Sequence, residues 1–130
     1  MTYNIFISHS WSYSDNYEKL VSLLREVPYF SFKDYSVPKN DPIHNAPNQQ
    51  LLEDAIKKQI QPCSCVLILA GQYANYSKWI NIEIKLAKGL GKRIIAIEPW
   101  GSERTSRLVK DSADSIVKWQ ATSIVDAIRR

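Results

Sequence analysis

The run Cys63-Ser64-Cys65-Val66-Leu67-Ile68-Leu69-Ala70 is apolar with barely a break and gives way to Gly71-Gln72. A strand wetted on one side alternates apolar and polar residues, whereas a strand covered on both faces does not. Residues 63–70 therefore predict the central strand of a parallel sheet with helices on either side. The chain keeps to that plan in both directions. Downstream, Ser77 to Leu90 carries apolar residues at helical spacing, with Gly89 and Gly91 near its end. Arg93 to Glu98 reads as a fourth strand ahead of the turn Pro99-Trp100-Gly101, and Glu103 to Asp111 as a short helix. Ser115 to Trp119 reads as a fifth strand and Thr122 to Arg130 as a last helix.

Upstream, Gln49 to Ile60 is helical and stops before Pro62. Between Pro38 and Asn48 lie three prolines and three asparagines, a long loop of the kind that often carries function. Tyr29 to Val37 alternates aromatic and polar residues and predicts the second strand. Tyr17, Leu20, Val21, Leu24 and Val27 recur at helical spacing before Pro28. Ser14 or Asp15 would cap that helix, with Glu18 completing a capping box. Tyr3 to Ser8 is the first strand.

Strands alternating with helices imply a single α/β domain over residues 1–130, flavodoxin-like, with a five-stranded mostly parallel sheet in the order 2-1-3-4-5 and helices on both faces. In that order a ligand crevice opens at the carboxyl ends of strands one and three. Three segments converge on its rim: Ser8-His9-Ser10-Trp11, the loop from Pro38 to Asn48, and Gly71 to Ser77.

Composition narrows the function. The 130 residues are 45% apolar with a net charge of +4, and the basic side chains form no dense run. That argues against nucleic acid as a partner and suits a small anionic ligand. No apolar run nears the roughly 20 residues needed to cross a bilayer, and Met1-Thr2-Tyr3-Asn4-Ile5 does not look like a signal peptide, so a cytoplasmic location is expected. Cys63 and Cys65, placed on one face of a strand, are badly set to bridge, and without a Cys/His set they make no zinc site; no metal is expected.

The third predicted helix carries the unusual residue. On a wheel of about 100° per residue, Trp79, Ile80, Ile82, Ile84, Leu86, Ala87 and Leu90 share one broad arc, and Asn81, Lys85 and Lys88 lie opposite. Glu83 falls in the middle of the apolar arc. A buried charge costs several kcal/mol unless it has a partner, a wet pocket or a proton. Glu83 is thus either a glutamate bridging inside the fold or a catalytic carboxylate in a crevice. Trp79, one turn earlier, is either core or the wall of a pocket on which a flat ring stacks. His9 is a rim residue or an ordinary surface histidine, and Ser8 and Ser10 can hydrogen-bond a ligand or simply a loop. No glycine-rich phosphate loop follows the first strand. Leu69-Ala70 stands where a phosphate-accepting response regulator needs an aspartate.

Phe6-Ile7-Ser8-His9-Ser10, Asp34-Tyr35-Ser36-Val37-Pro38, Cys65-Val66-Leu67-Ile68-Leu69, Ser77-Lys78-Trp79-Ile80-Asn81-Ile82-Glu83-Ile84, Ile95-Ala96-Ile97-Glu98-Pro99-Trp100-Gly101 and Ile124-Val125-Asp126-Ala127-Ile128, in that order, resemble the TIR-like superfamily. More closely they resemble its stand-alone bacterial type, such as the ThsB proteins of Thoeris antiphage defence. The resemblance implies an NAD-consuming enzyme that cuts the nicotinamide–ribose bond, with Glu83 catalytic and with Phe6, Ser8, His9, Ser10, Trp11, Asn40, Asp41 and Trp79 binding substrate. It implies no cofactor, NAD being the substrate. It further implies self-association through TIR-like surfaces and an ADP-ribose-derived product, cyclic or conjugated, read by a separate effector protein. Many TIR domains are adaptors, so a non-catalytic interaction module stays open, as does a nucleoside deoxyribosyltransferase-like N-glycosidic enzyme.

Overall fold

A computed structural model describes residues 2–8, 14–36, 48–69, 77–98 and 107–130. Its elements are β1 (Thr2–Ser8), α1 (Ser14–Arg25), β2 (Ser31–Asp34), α2 (Gln49–Ile60), β3 (Cys65–Leu69), α3 (Ser77–Gly89), β4 (Arg93–Glu98), α4 (Arg107–Ser112), β5 (Ser115–Lys118) and α5 (Ala121–Arg129). The five strands pair in parallel in the order β2-β1-β3-β4-β5, the flavodoxin-like arrangement expected from the alternation.

Every residue of β3 is buried, which is why its sequence is an unbroken apolar run. Ile94, Ile95, Ala96 and Ile97 of β4 and Ile5, Phe6 and Ile7 of β1 are buried beside it. Each fully buried side chain of this size contributes on the order of 1.5–3 kcal/mol, so the sheet's middle is the main source of stability. Right-handed crossovers fix the layers: the chain steps one way across the sheet from β1 to β2 and the other way afterwards. α1 and α5 therefore pack together on one face, and α2 and α3 pack together on the other.

Element ends have local causes. Asn48 is the N-cap of α2, its side chain accepting from the Leu51 N–H at 2.9 Å. At the end of α3, the Gly91 N–H donates to Lys88 O at 3.0 Å and the Lys92 N–H to Ala87 O at 2.9 Å. That is a Schellman closure, and it needs the left-handed backbone of Gly91, φ 70°.

Four sequence expectations shift. β2 begins at Ser31 rather than Tyr29 and ends at Asp34 rather than Val37. Tyr29 itself is left-handed, φ 62°, and projects fully into solvent, which breaks the strand behind it. The residues 35 and 36 leave the strand through a turn described below. Cys63 precedes β3 instead of lying on it, because its thiol donates to Gln59 O at 3.3 Å and closes the end of α2. α4 occupies Arg107–Ser112, so Asp111 lies inside it, and residues 103–106 fall outside the described part. α1 begins at Ser14, so Ser14 and Asp15, read as alternative caps, both lie within it.

Candidate functional site

Two buried polar or charged residues occur among the described residues, Ser8 at 1% exposed and Glu83 at 2%. Both belong to the set predicted from sequence. Ser8 is the last residue of β1 and pairs in register with Ile68 of β3. Phe6, two residues earlier on the same face of the strand, is fully buried. The Ser8 hydroxyl makes no hydrogen bond among the described residues.

Glu83 stands in the second turn of α3, the helix that follows the central strand. The wheel drawn from sequence describes this helix well. Ile82, Ile84 and Ala87 are buried, Leu86 and Leu90 are half-buried, and Asn81, Lys85 and Lys88 are exposed. Among the described side chains of α3, Glu83 and Ala87 are the most deeply buried, so the carboxylate lies along the spine that faces the sheet. On the outer side Lys85 Nζ meets Glu53 Oε1 at 3.2 Å and links α3 to α2. Its lysine is largely solvated although Glu53 is mostly covered, and the pair contributes at most about 1 kcal/mol. Burial of its apolar face against α2 and β4 is what orients the helix, and hence Glu83.

Around the end of β1 the structure gathers residues to which the sequence had given no role. Asp34, the last residue of β2, accepts on Oδ2 from the Tyr17 hydroxyl of α1. On Oδ1 it accepts from the Ser36 N–H at 2.8 Å, an Asx turn, and from the Ser36 hydroxyl. The Ser36 Oγ in turn accepts the Ile7 N–H of β1 at 3.1 Å. Burial, together with the bond to Asp34, raises the Tyr17 phenol well above its usual range, so Tyr17 keeps its proton as donor. A sequence signal did exist, since Asp34-Tyr35-Ser36 is a turn-forming triplet; Tyr17, a distant residue, could not be paired with it.

His9, Ser10, Trp11, Asn40 and Asp41 lie outside the described residues, as does the loop from Pro38 to Pro47. The backbone of Trp79 lies in the first turn of α3, and its side chain is outside the described part. An open groove of about 560 Å³ is lined by Glu18, Lys19, Ser22, Leu23 and Glu26 along α1 and by Trp119 after β5. It contains none of the candidate site residues read from sequence. Among the described residues no group of three or more His, Cys, Asp or Glu is placed to hold a metal ion. None of their helices is long and apolar enough to cross a membrane.

A family model described as the Thoeris protein ThsB, TIR-like domain, matches residues 6–104, which is 99 of the 130 residues. The chain belongs to that family. Membership puts it in the context of Thoeris antiphage defence, a system with further components. The match runs from Phe6 through β4 and so takes in Ser8, Asp34, Trp79 and Glu83; β5 and α5 lie beyond it. No curated protein matches the chain.

Proposed function

We propose that this ThsB-family domain breaks the nicotinamide–ribose bond of NAD and makes an ADP-ribose-derived signal molecule for a separate effector protein. The observation that carries the reading is Glu83: a carboxylate 2% exposed, on the sheet-facing spine of α3, in a domain whose family is TIR-like. An apolar residue at that place would pack without the desolvation cost that a carboxylate carries.

The chemistry suits one carboxylate. The C1′–N bond breaks with its electron pair going to the nicotinamide nitrogen, which neutralises the pyridinium charge. Nicotinamide thus leaves without a general acid. Positive charge develops on the ribose C1′ and ring oxygen, as in glycoside hydrolysis. A fixed negative group beside that ring lowers the barrier because it is already oriented before charge develops. Water or a hydroxyl of the ADP-ribose then bonds to C1′ and loses its proton to solvent, or an adenine ring nitrogen bonds to C1′ through its lone pair and the neighbouring amino group loses the proton. In this scheme Glu83 supplies the charge, Ser8 and the residues after it hydrogen-bond the ribose or diphosphate, and Trp79 walls the nicotinamide. NAD is substrate and no cofactor takes part. Contacts between copies of the domain complete or release the site.

The test is direct. The purified chain is incubated with NAD, alone and with extract of phage-infected cells, and nicotinamide release is followed. Release that depends on Glu83 supports the reading. No release under either condition, from a folded sample, gives the interaction-module reading its place.

A further inference from the structure

Asp34 and Ser36 form a relay of hydrogen bonds that reaches the end of β1. A carboxylate is acceptor-only, so the Ser36 hydroxyl must spend its proton on Asp34 Oδ1. Its lone pairs are then left to face the Ile7 N–H, 3.1 Å away. β2 has ended at Asp34, and just beyond it the Tyr35 N–H donates to Ile5 O of β1 at 2.8 Å. The Ser36 side chain thus does for Ile7 what a strand carbonyl would have done, since a buried N–H left without an acceptor is costly. Tyr17 holds the other carboxylate oxygen from α1, so Asp34 cannot swing away. Ser8, the next residue after Ile7, presents a buried hydroxyl that makes no hydrogen bond among the described residues.

We infer that Asp34 and Ser36 are positioning residues for substrate binding: through the Ile7 amide they hold the carboxyl end of β1 so that the Ser8 hydroxyl meets an oxygen of the substrate's ribose or diphosphate. The inference rests on the NAD reading and adds to it a place for three residues, Tyr17, Asp34 and Ser36, that touch no substrate. A residue that acts through another loses its effect once that other is gone. The two serines should therefore be strongly non-additive, which a general contribution to folding would not produce.

The experiment is a double-mutant cycle on affinity for carba-NAD, whose carbocyclic ring resists cleavage, measured by titration calorimetry well below each variant's melting temperature. Ser8→Ala is expected to weaken binding about tenfold, the scale of one hydrogen bond. Ser36→Ala is expected to do the same, and the double variant to lose about tenfold, not about a hundredfold. Tyr17→Phe, which leaves the Ser36–Ile7 bond in place, should weaken binding about threefold in the parent and not at all in the Ser8→Ala background. It serves if Ser36→Ala does not fold. Unchanged affinity in folded Ser36→Ala or Tyr17→Phe, or losses that multiply, would overturn the inference. A parent chain that neither binds carba-NAD nor releases nicotinamide overturns the NAD reading itself, and that failure is distinguishable because it involves no variant.

Discussion

Replacing Glu83 by glutamine removes one charge and almost nothing else. The side chain keeps its length, its branching and an acceptor oxygen, and its neighbours on the helix, Ile82, Ile84 and Ala87, keep their packing. With 2% of its surface exposed, Glu83 is held where water cannot screen it. A charge in that position acts on a nearby ribosyl cation far more strongly than it would in water. Loss of one such preorganised partner typically costs about 100-fold or more in turnover, or about 2.7 kcal/mol of barrier. Glutamine keeps the size and one acceptor oxygen, so stability should stay within about 1 kcal/mol of the parent. In a domain of this size that corresponds to roughly 3–5 °C in melting temperature. The assay pairs nicotinamide release at saturating NAD with a thermal melt of the same sample. A variant that cleaves NAD at the parent rate would refute the role of Glu83. One that melts well below the parent would show that Glu83 serves the fold.

Further expectations follow from the same picture. Trp79→Phe should leave the melt within a few degrees and weaken NAD handling; a loss of about 1–3 kcal/mol in stability with turnover intact would instead make Trp79 plain core. The dilute chain should be nearly idle and gain turnover with concentration or trigger, so high turnover by a sample shown to be monomeric by light scattering counts against assembly. Leu67→Ala, at the centre of β3 where exposure is nil, should cost about 2–5 kcal/mol, read from a denaturant titration. Burial, with Cys65 adding to it, pushes the Cys63 thiol up to about 12, and burial also raises Cys65. Neutral thiols in the fold therefore add stability below about pH 9, which is lost as pH rises toward 12 and the unfolded chain alone ionises. Both cysteines should resist iodoacetamide at pH 8 until urea unfolds the chain; fast labelling of the folded protein would contradict their burial.

What could be read in advance was whatever a period or a local signal encodes. The apolar run at residues 65–69, the bounds of α2 and β4, and the wheel of α3 with Glu83 on its inner side all follow from spacing. The sheet order followed from alternation and crossover handedness. The misreadings occur where tertiary bonds override pattern. Residues 29–37 alternate like a strand throughout, but Tyr29 is left-handed and Ser36 bonds β1 through its side chain, so only four residues join the ladder. Cys63 looked like strand because it is apolar, yet it serves the preceding helix. Of the candidate site, the two buried polar residues were legible because a polar side chain in an apolar setting stands out. The Tyr17–Asp34–Ser36 group was not, because each member is ordinary in its own stretch and only the fold brings them together.

The pairing of β1 with β3 has a consequence for how the protein is made. Asn4 and Ser64 are bonded across the gap between the strands, and Ile5 to Ser8 sit against Cys65 to Ile68. During synthesis the first strand emerges some sixty residues ahead of the strand that will cover its inner edge, which at ribosomal speeds is on the order of several seconds. Through that interval Ile5, Phe6 and Ile7 can gain at most a short partner in β2, whose ladder reaches only as far as Ile5. An apolar strand with an unpaired edge is a ready template for another chain. The nascent protein is therefore expected to depend on shielding by the ribosome exit tunnel or a chaperone until β3 arrives, and to form inclusion bodies when overproduction outruns that shielding.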